Sequence, residues 1–154
     1  MQPTQNEEIF DTHLALMTAS NIEAWSELLA EDVVMEIPYA AALGMPPRLE
    51  GKAAICNHIK AGIVQMEKIA FTNVRKYPTV DPNALWVEFH GEAMISTTDR
   101  QYQQDYVTRM GFKDGKIVYL CDYFNPIAVM SAFGSNAPSS PLIRDRLKHK
   151  KSLA

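Results

Sequence analysis

The feature that most constrains this chain is a change in its hydrophobic period near Ile69. Before that position the apolar residues recur at helical spacing, and after it they alternate as they do along β-strands. The later part predicts three long strands, at about 69–79, 84–96 and 102–112. Asp114–Gly115 is a strong two-residue hairpin signal that joins the third of these to a final strand at 116–124. An antiparallel meander is therefore predicted for this half of the chain.

The earlier part predicts two helices followed by a short strand. Thr4 and Glu7 form a capping box, T-x-x-E, ahead of the first helix. The apolar face of this helix consists of Phe10, His13, Leu14 and Met17. A break at Ser20–Asn21 begins a second, shorter helix, whose inward residues are predicted to be Trp25, Leu28 and Leu29. Val33–Ile37 then predicts a short strand that ends before Pro38.

Two more helices complete the predicted elements. Gly51 begins the third helix, and its apolar face comprises Ile55, His58, Ile59, Gly62, Ile63 and Met66. The preceding segment, 39–50, is predicted to be a loop. It is unusually apolar for a loop, which indicates that it lines an interior surface. For the last helix, Asn125 is a suitable cap, Pro126 suits the first turn and Gly134 suits the exit.

Helices segregated from an antiparallel sheet make an α+β domain. Strands of about 11 residues curl rather than stay flat. The sequence therefore predicts a curved antiparallel sheet wrapped on N-terminal helices around a pocket. One domain is predicted over residues 1–134, followed over 135–154 by a Pro/Ser-rich spacer and a basic tail.

Composition limits the classes of partner. The chain of 154 residues carries a net charge of −3, which predicts no nucleic-acid partner. No apolar stretch approaches the ~20 residues of a membrane helix, and the first residues do not resemble a secretory signal. Cys56 and Cys121 form no metal-spaced cluster, so we expect two reduced thiols and a cytoplasmic protein.

The charge is unevenly distributed along the chain. The tail 142–154 carries five basic residues against Asp145 alone, a net charge of +4, so the remainder carries −7. This pattern is typical of a solvated tail, and it also fits an arm that packs on an acidic surface of a partner subunit.

Asp122 is the clearest candidate for chemistry. Simple alternation along the last strand places it on the same face as Val118, Leu120 and Phe124. A carboxylate on an apolar face must be hydrogen-bonded, ion-paired or shifted in pKa, because burying it alone is costly. Asp122 is therefore either held by a structural partner such as Arg109 or exposed on a pocket wall.

Two histidines on apolar helix faces are further candidates. His58 lies within the apolar stripe of the third helix, and His13 lies on that of the first. A lone histidine there can simply be a hydrogen-bonded core residue. If His58 and Asp122 face one cavity, however, they form an acid–base pair that can work near neutral pH.

The remaining pocket residues are predicted from strand alternation. The Asp114–Gly115 hairpin makes the inner faces of the last two strands continuous. We therefore expect the pocket to be lined also by Tyr106, Met110, Phe112, Leu120 and Phe124. A different strand face carries Trp86, Glu88, His90 and Glu92, and it is predicted to be an exposed or dimer-facing surface.

Familiar catalytic and cofactor motifs are absent from the sequence. It contains no G-x-S-x-G, no P-loop, no dinucleotide-binding glycine pattern and no H-E-x-x-H. His58 and Asp122 alone are too few ligands for a metal site. We therefore expect a site without metal or organic cofactor.

Several segments carry a family resemblance over about residues 6–134. They are Gly51-Lys52 with the helix of His58, D-P-N-A-L-W-V-E (81–88) with Gly91, D-G-K-I (114–117) and D-Y-F-N-P (122–126). On these the chain resembles the SnoaL-like, ketosteroid isomerase-related branch of the nuclear transport factor 2-like superfamily, and its second half resembles the phenazine-biosynthesis A/B proteins. The resemblance implies a cone-shaped fold and a homodimer formed through the outer sheet face. It also implies acid–base roles for His58 and Asp122, with the aspartate standing where those proteins have a glutamate.

Two functions remain open on the sequence. The first is a cofactor-free enzyme that uses Asp122 and His58 for isomerisation, cyclisation, condensation or dehydration of a small apolar or cyclic substrate. In that enzyme His13, Tyr106, Met110, Phe112, Leu120 and Phe124 would bind the substrate. The second is a non-catalytic dimeric module that binds a ligand or a protein in the same cavity.

Overall fold

The computed structural model describes residues 4–134, which form four α-helices and six β-strands. The helices are α1 (Gln5–Thr18), α2 (Ile22–Ser26), α3 (Lys52–Ile63) and α4 (Pro126–Phe133). The strands are β1 (Leu29–Glu36), β2 (Arg48–Glu50), β3 (Met66–Pro78), β4 (Ala84–Ile95), β5 (Arg100–Lys113) and β6 (Lys116–Phe124). The predictions for the spacer and the basic tail lie outside the described residues.

One mixed sheet contains all six strands in the order β2-β1-β6-β5-β4-β3. Strand β1 runs parallel to β6, and every other neighbouring pair is antiparallel. The predicted meander is confirmed, and β1 extends it by pairing with the last strand of the chain. The curved sheet with helices on its inner face confirms the α+β, nuclear transport factor 2-like fold.

Alternation along β4 explains how the sheet acquires one buried face. Its residues are buried and partly exposed in strict turn, with Leu85, Val87 and Phe89 on the inner side. Helix α1 covers this side with Phe10, Leu14 and Met17, all buried. The Thr4–Glu7 capping box that begins the helix is present in both directions. For β4 and α1, the sequence period therefore predicts which face joins the core.

The chain between β1 and α3 is more ordered than a loop. It contains a short 3₁₀ helix, Ala40–Leu43, and strand β2, which pairs with β1. Its apolar residues Ala40, Leu43 and Met45 are buried, which explains the unusual composition of the segment.

Two predicted helix faces extend too far along the chain. Helix α3 ends at Ile63, and Met66 begins β3, where it pairs with Ile95. Helix α2 ends at Ser26, and Leu29 lies in β1, where it pairs with Ile117. In both places an apolar residue fits the helical spacing, but it contributes to the same core from the strand that follows.

A β-bulge at Val118 changes the predicted faces of β6. Gly111 pairs with Tyr119 and Phe112 pairs with Ile117, so Val118 is an extra residue on β6. Ile117 is consequently buried in the core rather than on the outer face. Beyond the bulge the predicted alternation holds, and Asp122 lies on the inner side.

Candidate functional site

A cavity of about 180 Å³ lies between the concave face of the sheet and helices α1, α3 and α4. Its wall is mainly apolar and includes four flexible thioether side chains, those of Met17, Met35, Met45 and Met66. Five titratable side chains also line it, namely His13, His58, Tyr102, Tyr106 and Asp122. A few polar groups in an apolar enclosure are typical of a small-molecule site.

Asp122 lies on the inner side of β6, opposite Thr108 of β5. The Thr108 hydroxyl donates a 2.7 Å hydrogen bond to Asp122 Oδ1. Burial raises the pKa of the Asp122 carboxyl to about 6, and the bond from Thr108 opposes that shift only in part. The carboxyl group can therefore gain or lose a proton near neutral pH. Arg109, the structural partner considered from the sequence, instead lies over the Tyr119 ring, 4.6 Å from its centroid.

His58 projects into the same cavity from α3. Burial lowers the pKa of its imidazole, so the ring is neutral at pH 7. No hydrogen bond or ion pair joins His58 to Asp122, and neither group shifts the pKa of the other. The structure thus places both residues at one cavity, Asp122 on the sheet and His58 on α3, without bringing them into contact. A molecule between them would be needed to couple them.

His13 is held in one orientation by Trp25. The indole Nε1–H of Trp25 donates a 2.8 Å hydrogen bond to His13 Nδ1. Because an indole N–H can only donate, Nδ1 accepts, and the neutral ring must carry its proton on Nε2. Burial lowers the pKa of His13 to about 4, which keeps the ring neutral at pH 7.

Tyr102 lines the cavity, although the sequence analysis did not single it out. Its hydroxyl lies 3.0 Å from the hydroxyl of Tyr106 and accepts a 3.3 Å hydrogen bond from Gln104 Nε2. The signal was present in the sequence as Y-x-Q-x-Y-x-T, a polar pattern on the inner face of β5. Alternation places Tyr102 on the same face of β5 as Tyr106, nearer the start of the strand, and therefore identifies it as a lining residue.

Three of the predicted apolar and aromatic lining residues, Tyr106, Leu120 and Phe124, line the cavity. Met110 and Phe112 do not, and the prediction for these two was wrong. They lie on the expected face of β5, but they pair with Leu120 and Ile117 where the core is filled by side chains. Alternation predicts the face of a residue but not whether the space above it is open.

The outer face of the sheet is separate from the cavity, as the sequence predicted for His90 and its neighbours. His90 Nδ1 lies 2.8 Å from Asp105 Oδ1, and Nε2 lies 3.2 Å from Glu92 Oε1. The bond to Asp105 and, less strongly, that to Glu92 raise the pKa of His90. Within residues 4–134, no cluster of three or more His, Cys, Asp or Glu side chains could hold a metal ion. None of the described helices is long and apolar enough to cross a membrane.

Comparison with known proteins agrees with this geometry. The model of the SnoaL-like domain matches residues 10–120. The uncharacterized protein YesE of Bacillus subtilis (strain 168) is 37% identical over 123 residues, covering 80% of this chain and 83% of YesE. The uncharacterized PhzA/B-like protein PA3332 of Pseudomonas aeruginosa is 28% identical over 137 residues, covering 89% of this chain and 96% of that protein.

A solved structure is also similar over most of the chain. The crystal structure of a Bacillus subtilis protein described as a candidate isomerase has a TM-score of 0.79 and 35% identity. The match covers 86% of this chain and 96% of that one. The chain therefore belongs to the SnoaL-like family of the nuclear transport factor 2-like superfamily.

Proposed function

We propose that this protein is a cofactor-independent acid–base enzyme that isomerises, cyclises, condenses or dehydrates a small apolar or cyclic substrate. The observation that carries the proposal is the Asp122 carboxyl group, which lies on the wall of an apolar cavity with a pKa raised to about 6. A base is most effective when its pKa lies near the working pH. The description of a 35%-identical relative as a candidate isomerase agrees with this class of reaction.

In the proposed reaction, ionised Asp122 removes a proton from a carbon of the bound substrate. Thr108 holds the carboxylate in place through its 2.7 Å bond. The proton returns at another position of the substrate, either from Asp122 itself or through His58 on the cavity wall. His13, Tyr106, Leu120 and Phe124 would contact the substrate. Since the same number of protons is removed and returned, an isomerisation of this kind needs no further reactant.

The test is deuterium exchange into a simple carbon acid. The bicyclic ketone 1-tetralone would be incubated with the protein in D₂O, and exchange beside its carbonyl followed by NMR. Asp122→Asn keeps the shape and an acceptor for Thr108 but removes the ionisable group. We expect it to slow protein-catalysed exchange by about 10² or more. The control, Glu92→Gln, alters an outer-face carboxylate and should exchange like wild type. Equal rates for wild type and a folded Asp122→Asn protein would remove Asp122 from the mechanism.

A second candidate function is ligand binding without catalysis. It is favoured by the absence of contact between His58 and Asp122 and by the mainly apolar lining. In that case 1-tetralone would bind, but the protein would not accelerate its exchange.

We also propose a homodimer formed through the outer face of the sheet. Partly exposed aromatic side chains lie there, and the rings of Trp86 and Tyr123 stack with centroids 6.2 Å apart. Light scattering at micromolar concentration should give twice the monomer mass, and Trp86→Glu should reduce it to the monomer value. A monomeric mass for wild type would exclude the dimer.

A cytoplasmic location completes the proposal. Cys56 and Cys121 are both free thiols in the structure. Free thiols fit a reducing compartment, where disulfides are rare.

A further inference from the structure

The inner face of β5 carries a row of four polar side chains, Tyr102, Gln104, Tyr106 and Thr108. The proposed reaction gives no role to Tyr102 or Gln104. Gln104, in the middle of the row, is 2% exposed, and its side chain holds both backbone groups of Asn125. Its Nε2 donates to Asn125 O at 2.9 Å, and its Oε1 accepts from Asn125 N at 3.0 Å. The remaining hydrogen of the amide is donated to the Tyr102 hydroxyl. Both amide hydrogens of Gln104 are thereby used, and the side chain fixes the position of that hydroxyl.

Counting hydrogens shows what the two tyrosines have left to offer. Tyr102 and Tyr106 bring two hydroxyl hydrogens, and the 3.0 Å bond between them uses one. Whichever hydroxyl donates in that bond, the hydrogen of the other has no acceptor among residues 4–134. Burial raises the pKa of both phenols, so both keep their protons at neutral pH. The pair therefore holds one unused O–H donor beside an apolar cavity that both residues line.

Neighbouring rings fix the pair in place. The Tyr106 ring stacks on Phe89 with centroids 4.9 Å apart, and the Tyr102 ring packs edge-on against Phe133 at 5.5 Å. Gly91 allows the close approach of Tyr106, since a Cβ atom there would lie 3.0 Å from a Tyr106 ring carbon. A donor fixed before the ligand arrives loses little entropy on binding.

We propose that Tyr102 and Tyr106 act together as a single hydrogen-bond donor that selects ligands with a carbonyl or similar acceptor oxygen on an apolar skeleton. This inference rests on the proposed function insofar as it takes the cavity to be the ligand site. An unused donor in an apolar cavity is satisfied by an acceptor, and a hydrocarbon leaves it unpaired. Asp122 lies close enough that its charge adds to the raised pKa of both phenols, so an acceptor bound here lies near the proposed base.

The test compares two ligands of the same skeleton, 1-tetralone and its parent hydrocarbon tetralin, by calorimetry on the full-length protein. Wild type should bind the ketone more tightly. Each single variant, Tyr102→Phe or Tyr106→Phe, frees the hydrogen of the remaining hydroxyl and should keep most of the preference. The double variant removes both hydroxyls and should reduce the preference by about five- to a hundredfold, because the buried carbonyl then has no donor. Tyr77→Phe, on an exposed residue of β3, is the control and should behave like wild type.

The outcomes separate this proposal from the proposed function. If wild type binds the two compounds equally, or if the preference for the ketone survives in the double variant, the proposed donor role of the two tyrosines is overturned. The proposed function is then not affected. Complete loss in one single variant also overturns the donor role of the pair, since the donor would then be a lone hydroxyl. Failure of both compounds to bind overturns the ligand site itself.

A second variant is available if the double variant does not fold. Gln104→Glu keeps both tyrosines. A buried, protonated carboxyl at this position can still donate to Asn125 O, and the same oxygen can accept from Tyr102, to which the amide nitrogen donates in wild type. The hydrogens of Tyr102 and Tyr106 would then both be used inside the protein, so the preference for the ketone should again be lost. A preference as strong as that of wild type in a folded Gln104→Glu protein would overturn the proposal.

Discussion

Asp122 and His13 ionise against the same apolar cavity but affect stability with opposite sign. Burial raises the pKa of Asp122 from 3.8 to about 6 and lowers that of His13 from 6.5 to about 4. The stability associated with Asp122 is complete below pH 3.8 and is lost as the pH rises through 6. That associated with His13 is complete above pH 6.5 and is lost as the pH falls through 4. Over the window between them, the two effects largely cancel.

Asp122→Asn should expose this cancellation. With the carboxyl group gone, the free energy of unfolding should rise with pH between about 4 and 6.5, because the contributions of His13 and His58, whose pKa values are both lowered by burial, are no longer opposed. Wild type should change much less over the same range. Urea unfolding at several pH values measures both, with Glu23→Gln, at an exposed position of α2, as a control that should follow wild type. The same slope in wild type and Asp122→Asn would contradict the raised pKa of Asp122.

Trp25 should determine which nitrogen of His13 carries the proton. Nitrogen NMR of wild type should identify the Nε2–H tautomer, because Nδ1 accepts from the indole. Trp25→Phe removes that donor, so both tautomers should appear, and the free energy of unfolding should fall by about 1–3 kcal/mol. Trp86→Phe, on the outer face, should leave the His13 signals unchanged. An Nδ1–H tautomer in wild type would contradict the assignment.

At the level of elements, the β5–β6 hairpin shows how far local sequence determines structure. Asp114 and Gly115 both have positive φ angles, of 51° and 73°, as a tight two-residue turn between antiparallel strands requires. Gly115→Ala should lower the free energy of unfolding by about 1 kcal/mol, because a side chain is unfavourable in this backbone region. Asp114→Asn should be nearly neutral, since asparagine tolerates that region. Urea unfolding of both variants checks this, and a neutral Gly115→Ala would show that the turn relaxes to another type.

The limits of sequence analysis are also clear at this level. Period and turn residues predicted the order of the four helices and the five longer strands, the inner faces of the long strands and the shared cavity of Asp122 and His58, but they missed strand β2. They did not predict the bulge at Val118, because both faces of β6 contain residues typical of a strand whether or not one residue is inserted. Nor did they distinguish Met110, which is packed over, from Tyr106, which lines the cavity. That difference depends on where the helices lie above the sheet, and no local pattern encodes it.

At the scale of the whole molecule, the cavity lies above one end of the sheet, and packed side chains fill the space above the other end. Phe112 and Ile117 close the end near the hairpin, whereas the end bounded by α3 and α4 has the polar groups of Asp122, His58 and Tyr102 on its wall. Many residues on the cavity wall, such as Trp25 and Leu120, also belong to the buried core. The variants proposed at Asp122 and the tyrosines are therefore limited to Asn and Phe, which nearly keep the shape of the original side chains, and they are expected to remain folded.

Truncation after Gly134 tests whether the described body is complete in itself. Helix α4 is capped by Asn125, anchored by buried Phe133 and ended by Gly134 with a φ of 56°, so its boundaries need no residues beyond it. We therefore expect the truncated protein to melt at almost the same temperature as the full chain, measured by circular dichroism at equal concentration. Ile127 and Met130 lie exposed on α4 and are the surfaces that a tail could cover. A large fall in melting temperature, reproduced in the full chain by Ile127→Ser, would show that residues 135–154 pack on this helix.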